Sequence, residues 1–196
     1  MNIVFGTDGW RARIADEYTF DAVRVCAQSV AEWVVKNGGA DRGVVIGFDR
    51  RFASEHFAAA AAEVVAAHDV NVHLATAAAP TQSFSWATMR RKAKAGIVIT
   101  ASHNPWTDNG FKVKAETGAA GGPAMLKELE AIIHQFALRV TAHKLFGMAI
   151  ENEIEPANMN SVMIGLRHKH TVCQTTQNQL MGVAGNERRR FRKLGR

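Results

Sequence analysis

The sequence predicts an α/β fold: a three-layer α/β/α sandwich around a mixed four-stranded sheet, with the last strand antiparallel, followed by a poorly structured C-terminal tail. Three observations lead to this fold class. Short, continuous apolar runs alternate with longer segments of helical periodicity, the pattern of parallel strands covered on both faces. The last two apolar runs lie too close together for a helical crossover. The 196 residues, 47% of them hydrophobic, are enough to bury a core.

Four segments have the spacing of amphipathic helices. In the first, apolar residues recur at three- and four-residue steps after Thr19 or Asp21, either of which can act as the N-cap. Ser54 is the expected N-cap of the second helix, and Pro123 is the expected first residue of the last. The helices are expected over residues 20–36, 54–67, 82–91 and 123–138.

Four apolar runs are expected to form the sheet. The runs at residues 44–48, 71–75 and 95–100 suit buried parallel strands. About ten residues separate the third run from the fourth, at residues 111–114, so the fourth strand should run antiparallel to the third. The opening residues predict a short apolar strand that ends in a turn containing Gly6, Asp8 and Gly9, and its glycines let backbone amides approach a ligand closely.

The sequence divides into a domain over residues 1–137 and a divergent tail over residues 138–196. The tail has no sustained hydrophobic period, so we expect it to be partly disordered. Acidic and basic side chains cancel over residues 1–134, and the whole net charge of +6 therefore comes from residues 135–196. Most of it lies in a basic cluster at the C-terminus, which is more typical of a solvated tail than of a nucleic-acid site.

The sequence also indicates a cellular compartment. No apolar run reaches the ~18 residues of a membrane span, and the N-terminus lacks the basic flank and apolar core of a signal peptide. Cys26 and Cys173 have no neighbouring ligands at zinc-site spacing and are expected to be reduced thiols. We therefore expect a cytoplasmic protein with no membrane partner.

The loop after the third apolar run, TASHNP, carries the most chemistry. Open α/β sheets bind ligands at the carboxyl ends of their strands, which is where Ser102, His103 and Asn104 are expected. A serine hydrolase is not favoured, because the G-x-S-x-G motif is absent. A serine that carries a phosphoryl group fits better. Such a group needs nearby positive charge, which Lys112 on the returning strand and Arg11 after the glycine turn could supply.

Four motifs resemble those of a known family. FGTDGWR at 5–11, GFDRR at 47–51, TASHNP at 100–105 and NGFK at 109–112 are similar, in this order along the chain, to motifs in the first domain of the α-D-phosphohexomutases. This group comprises phosphoglucomutase, phosphomannomutase and phosphoglucosamine mutase. The resemblance covers about residues 2–137 and implies an isomerase that moves a phosphoryl group within a hexose phosphate.

The resemblance implies roles for individual residues. Ser102 matches the family's phosphoserine, which also gives a bound Mg²⁺ one phosphate oxygen and receives its phosphoryl group from a hexose bisphosphate. The motif is compatible with two roles for Arg51: a structural pairing with Asp49 or a direct role in the site. The other catalytic matches are His103, Lys112 and Arg11. The matches for binding substrate or phosphate are Thr7, Gly6, Asn104 and Arg51.

The tail does not continue the family pattern. The metal-binding, sugar-recognition and phosphate-clamping loops of the family's other three domains have no counterpart in residues 138–196. Mg²⁺ would have one oxygen donor from the protein where it prefers about six ligands, so its binding is expected to be weak or absent. Within the domain, Ala12 and Gln82 stand where the family usually has glycine and proline.

These departures lead us to expect an isolated first domain that carries the phosphoserine loop but lacks full mutase activity, as from a truncated gene, a frameshift or a fusion. Its small-molecule partner would be a hexose phosphate. The missing domains could instead come from another chain or be compensated by self-association. The alternative function is a non-catalytic phosphate- or phosphosugar-binding protein whose basic tail contacts RNA or a protein partner.

The alternative function is tested by deleting residues 187–196, which removes the C-terminal basic cluster. If this cluster binds RNA, its removal should lower both the affinity and the salt dependence of binding. Filter-binding titrations at several salt concentrations measure both quantities. We expect the same weak binding and the same salt slope for the intact and shortened chains, whereas a steeper slope for the intact chain would support the alternative.

Overall fold

The computed structural model describes residues 3–7 and 9–136, and these form an open, mixed sheet with helices on both faces. The strands β1 to β5 are Trp10–Arg13, Val44–Phe48, Val72–Leu74, Ala95–Ile99 and Asp108–Ala115. Their order in the sheet is β1-β5-β4-β2-β3. β2 pairs in parallel with β3 and β4, whereas β5 runs antiparallel to both of its neighbours, β4 and β1. The predicted antiparallel direction of the last strand is confirmed.

Four helices cover the sheet in the described part of the chain. They are α1 (Phe20–Lys36), α2 (Ser54–Ala66), α3 (Thr81–Arg90) and α4 (residues 123–136). Buried residues of α1, α2 and α4 form one core with Ile46, Ile97 and Phe111 of the sheet. α3 covers the opposite face, where a Cβ at Gly47 would come within 2.3 Å of the Phe84 ring. The three layers are those of the predicted sandwich, so the fold class is confirmed.

Capping and packing explain where the first and last helices lie. The Thr19 side chain accepts a hydrogen bond from the Ala22 N–H at 3.2 Å and caps α1, as predicted. α4 begins at Pro123, and its apolar stripe is buried in the core. Glu130 of α4 also accepts a hydrogen bond from the Phe5 N–H at 2.6 Å. This contact holds the opening segment against the domain.

The predicted count of four strands was wrong, because the sheet has five. The additional strand, β1, follows the glycine turn, whereas the sequence analysis placed a strand before that turn. β1 pairs with β5 from Trp10 opposite Phe111 to Arg13 opposite Asp108. It is a four-residue edge strand that contains two arginines. Such a strand lacks the continuous apolar run that identifies the central strands.

The predicted N-cap of α2 was also wrong. Ala53 occupies the cap position in a left-handed conformation with a φ of 57°, and Ser54 is the first helical residue. The Ser54 hydroxyl donates a hydrogen bond to Asp49 Oδ1 at 3.0 Å instead of capping the helix. The start of α2 is therefore tied to the carboxyl end of β2, next to the site described below.

Cys26 on α1 is fully buried and forms no disulfide. Burial raises the pKa of its thiol, which keeps the thiol protonated and unreactive. Within residues 3–7 and 9–136, no helix is long and apolar enough to cross a membrane. Cys173 and the tail over residues 138–196 lie outside the described residues.

The buried hydroxyl of Tyr18 provides a stability test. Tyr18 is fully buried, stacks on Trp10 with 5.1 Å between ring centroids, and donates a hydrogen bond to the Gly110 carbonyl at 2.9 Å. Tyr18→Phe keeps the ring and removes this bond, so the free energy of unfolding should fall by about 1 kcal/mol. Urea denaturation measures the change. Ser83→Ala, which removes an exposed hydroxyl, should have no effect, and equal stability of all three proteins would contradict the prediction.

Candidate active site

The loop that joins β4 to β5 carries the candidate site. Ser102 lies in this loop with a φ of 54°, a left-handed conformation that is unfavourable for a residue other than glycine and recurs at functional sites. The Ser102 N–H donates to Thr100 Oγ1 at 3.0 Å, and the Ser102 carbonyl accepts from Arg51 Nη2 at 2.8 Å. Both backbone polar groups of Ser102 are therefore held by side chains, while the residue itself is exposed.

Lys112 brings positive charge to the hydroxyl of this serine. β5 returns antiparallel along β4, with Lys112 opposite Val98. Lys112 is only 3% exposed, and its Nζ donates a hydrogen bond to Ser102 Oγ at 2.8 Å. A charged donor makes this hydrogen bond stronger than one between neutral groups. The ammonium group is thus placed next to any group that Ser102 Oγ would carry.

The opening glycine turn packs against Lys112. Gly6 and Gly9 exchange backbone hydrogen bonds at 3.1 and 3.4 Å, and Gly9 has a φ of +100°. A Cβ at Gly9 would lie 2.5 Å from the Phe111 carbonyl oxygen and 2.8 Å from Lys112 Cα. Only glycine allows this close approach. It brings the exposed residues Gly6 and Thr7 to the Lys112 side of the site.

Arg11 and His103 occupy different positions around the loop. Arg11 is half-buried on β1 and lies opposite Gly110 of β5. Its side chain packs there so closely that a Cβ at Gly110 would come within 3.0 Å of Arg11 Cγ. His103 is exposed and directly follows Ser102. The structure therefore places Arg11 on the strand neighbouring Lys112, and His103 on the solvent side of the loop.

Arg51 and Asn104 form hydrogen bonds within the loop. Arg51 donates to four backbone carbonyls at 2.7–3.0 Å, and Asn104 Nδ2 donates to Asp108 Oδ2 at 3.0 Å. The Arg51 side chain is 14% exposed and its Nε lies 3.5 Å from Asp49 Oδ2. The pairing with Asp49 that the sequence left open is thus present. The four carbonyls belong to Ser102, Asn104, Pro105 and Asp108.

Two residues outside the set of candidates organise this loop. Thr100 Oγ1 donates to Asp49 Oδ2 at 2.6 Å while accepting the hydrogen bond from the Ser102 N–H. Asp49 Oδ1 accepts from the Arg51 N–H and the Ser54 hydroxyl, each at 3.0 Å. Asp49 and Thr100 directly follow the neighbouring parallel strands β2 and β4. Sheet order, which brings the carboxyl ends of such strands together, is the signal that could have identified them.

An open pocket of about 510 Å³ lies beside Ser102. It is lined by residues 49–52 together with Ser102, Asn104 and Trp106. Phe52 and Trp106 are large apolar residues that are 74% and 81% exposed. The pocket therefore gives a ligand access to Ser102 from a side that carries two aromatic rings.

The described residues do not by themselves form a site for the Mg²⁺ ion that the family resemblance implies. No group of three or more His, Cys, Asp or Glu side chains within residues 3–7 and 9–136 is arranged to hold a metal. Asp49 and Asp108 are the carboxylates that contact the loop, and both oxygens of each already accept hydrogen bonds. Ser102 remains as the candidate ligand among the described residues, and one oxygen donor is too few for Mg²⁺.

Comparison with known proteins identifies the family. Residues 2–139 match the family model for phosphoglucomutase/phosphomannomutase, alpha/beta/alpha domain I. The chain belongs to this family. The match spans the sheet, the glycine turn and the Ser102 loop, so the site described above lies within the first domain of a phosphohexomutase.

Individual relatives support the same assignment. Phosphoglucosamine mutase of Deinococcus radiodurans is 39% identical over 135 residues, which cover 68% of this chain and 30% of the relative. Phosphoglucomutase of Staphylococcus epidermidis is 46% identical over 76 residues, which cover 39% of this chain and 14% of that protein. A phosphoglucomutase/phosphomannomutase family protein of Burkholderia thailandensis has a similar structure, with 27% identity and a TM-score of 0.60 over 68% of this chain and 30% of that one.

The chain spans about a third or less of the length of these relatives. Their names also differ in the hexose that they specify. The shared region contains the four motifs identified in the sequence, from the glycine turn to Lys112. What the comparisons establish is therefore the identity of the domain, a phosphohexomutase first domain.

The close contact of Gly9 with β5 can be tested by Gly9→Ala. A methyl group at a φ of +100° and 2.5 Å from the Phe111 carbonyl oxygen would force the turn away from Lys112. We expect the free energy of unfolding to fall by about 1–3 kcal/mol. Gly6→Ala is the matched control, since its Cβ would make only an ordinary contact of 3.6 Å. Chemical denaturation compares the two variants, and equal stabilities would contradict the described packing.

Proposed function

We propose that this chain carries the phosphoryl-transfer domain of a phosphohexomutase, in which Ser102 accepts a phosphoryl group from a hexose bisphosphate and donates one to a hexose monophosphate. The observation that supports this most strongly is the hydrogen bond of 2.8 Å from Lys112 Nζ to Ser102 Oγ. A buried cation directed at an exposed hydroxyl suits a serine that gains and loses a dianionic group.

The proposed chemistry is a balanced exchange of one phosphoryl group. Ser102 Oγ forms a bond to phosphorus while the bond from phosphorus to a hexose oxygen breaks. Ser102 Oγ gives up its proton, and the hexose oxygen gains one. In the second step the phosphoryl group passes from Ser102 Oγ to another hydroxyl of the hexose, whose proton returns to Ser102 Oγ. Lys112 stabilises the charge on the transferred group, which is the main contribution a protein makes to phosphoryl transfer.

The other candidates take supporting roles in this proposal. His103, exposed beside Ser102, is suited to carry the proton between the serine and the hexose oxygen. Arg11 would add positive charge, and the turn containing Gly6 and Thr7 would offer backbone amides to phosphate oxygens. Phosphorylated Ser102 would offer Mg²⁺ one phosphate oxygen. No step is assigned to the ion, because the residues present do not complete its coordination.

We further propose that this chain alone does not complete the mutase reaction. It aligns with about 30% of the length of its curated relatives, and the described residues supply Ser102 and its cation but no cluster of metal ligands. The hexose phosphate must be reoriented between the two transfers. To be held for each transfer it needs contacts to its sugar ring and to its distal phosphate. Further domains, on another chain or in a longer protein, would supply those contacts.

A turnover assay tests this insufficiency. The purified chain is incubated with glucose 1-phosphate, glucose 1,6-bisphosphate and Mg²⁺, and glucose 6-phosphate is measured. We expect no turnover approaching the ~1–1000 per second of ordinary enzymes. Addition of a separate fragment that holds the remaining domains of a relative should produce activity with the wild-type chain and none with Ser102→Ala. Full activity of the chain on its own would overturn the proposed insufficiency.

The role of Lys112 makes a second prediction. Lys112→Gln removes the cation next to Ser102, so the rate of phosphoryl transfer to Ser102 from glucose 1,6-bisphosphate should fall by about 10²–10³-fold. Intact-protein mass spectrometry follows the transfer over time. Lys127→Gln, which changes an exposed lysine on α4, is the matched control. A rate for Lys112→Gln equal to that of the control, in a variant with normal thermal stability, would exclude this role.

A further inference from the structure

We propose that Arg51 is a positioning residue, which fixes the conformation of Ser102 through the loop backbone and does not bind the phosphoryl group itself. The proposal rests on the proposed function of Ser102 as the phosphoryl carrier. The family resemblance placed Arg51 among residues that bind substrate or phosphate, whereas its contacts in the structure favour the other role.

The hydrogen-bond donors of Arg51 are all directed into the protein. A guanidinium group has five N–H donors. Nη1 donates to the carbonyls of Pro105 and Asp108 at 2.7 and 3.0 Å, and Nη2 to those of Ser102 and Asn104 at 2.8 and 2.7 Å. Nε faces Asp49 Oδ2 at 3.5 Å. An arginine that binds phosphate presents paired N–H groups to the ligand, and Arg51 has none left to present.

These four contacts determine the shape of the loop. The carbonyl oxygens of residues 102, 104, 105 and 108 converge on one cation. Without it, four carbonyl dipoles would be brought together after losing their hydrogen bonds to the guanidinium group, although the Pro105 oxygen would keep the Asp108 N–H at 3.1 Å. The Arg51 side chain is only 14% exposed, so water does not readily replace it. Arg51 therefore adds four hydrogen bonds to those that the loop forms internally.

The conformation held in this way sets the direction of the Ser102 hydroxyl. Arg51 holds the Ser102 carbonyl, and Thr100, itself bonded to Asp49, holds the Ser102 N–H. Together they maintain the unfavourable φ of 54°. With the backbone fixed, Ser102 Oγ lies 2.8 Å from Lys112 Nζ. Displacement of a reacting atom by about 1 Å can cost on the order of 10²-fold in rate, so release of this loop should slow phosphoryl transfer.

Arg51→Lys separates positioning from phosphate binding. Lysine keeps the positive charge, but one ammonium group cannot donate to four carbonyls in the fork geometry of a guanidinium. We expect the rate constant for transfer from glucose 1,6-bisphosphate to Ser102 to fall about 10–100-fold, with the half-saturating donor concentration changed by less than about 2-fold. Amide hydrogen exchange should rise within residues 101–108 and stay unchanged in α1 and β2. Arg90→Lys, at an exposed arginine of α3, is the matched control.

The opposite results would overturn the proposal. If Arg51→Lys transfers at the wild-type rate while Arg51→Met raises the half-saturating donor concentration, Arg51 binds the phosphoryl group through its charge. Unchanged hydrogen exchange in the loop would also contradict positioning. If the wild-type chain takes up no phosphoryl group at Ser102, the proposed function fails, and the exchange measurement still decides the role of Arg51.

A second pair of variants covers the case in which the Arg51 variants do not fold. Thr100→Val removes the hydroxyl that links the Ser102 N–H to Asp49, and Thr100→Ser keeps it. Thr100→Val should reproduce the slower transfer and the faster exchange in the loop. Thr100→Ser should show the transfer rate and the exchange of the wild-type chain. Wild-type behaviour of Thr100→Val would show that the Ser102 conformation does not depend on these backbone contacts.

Discussion

The antiparallel return of β5 along β4 is the constraint on which the candidate site depends. In a purely parallel sheet the next strand would begin at the opposite end of the sheet, and its first residues would lie far from the loop that follows β4. Here β5 starts from that loop and runs back beside β4, so that Lys112 comes within hydrogen-bonding distance of Ser102. β5 also pairs with β1, which places Arg11 opposite Gly110 and packs Gly9 of the glycine turn against Lys112. The antiparallel direction of β5 thus brings together the Ser102 loop, Lys112, and the glycine turn with β1.

A second set of contacts comes from the parallel side of the sheet. β2 ends next to β4, and the polar residues that follow β2 reach across to the Ser102 loop. Asp49 receives the Thr100 hydroxyl, and Arg51 binds the loop carbonyls. The residues that follow β2 therefore hold the loop from one side through its backbone. From the other side, Lys112 donates a hydrogen bond to the Ser102 hydroxyl. This division fixes the backbone of Ser102 and leaves the residue exposed.

Much of this arrangement could be predicted from the sequence, because it follows from short-range patterns. Alternating apolar runs and helical segments predicted the three layers, and the short spacing between residues 100 and 111 predicted the antiparallel strand. That same spacing placed Lys112 near Ser102. β1 was missed because an edge strand of alternating arginines carries no apolar run. The hydrogen bonds from Arg51 to the loop carbonyls could not be predicted, since backbone carbonyls have no signature in the sequence and their convergence depends on the loop conformation.

We propose that the chemistry of this chain takes place at Ser102, in a loop whose backbone conformation is maintained by its neighbours. Peptide mapping by tandem mass spectrometry, after incubation of the wild-type chain with glucose 1,6-bisphosphate and Mg²⁺, tests that attribution most directly. We expect a single phosphoryl group on the peptide that contains residues 100–105, located at Ser102. A phosphoryl group on any other residue, or none on the wild-type chain, would contradict it.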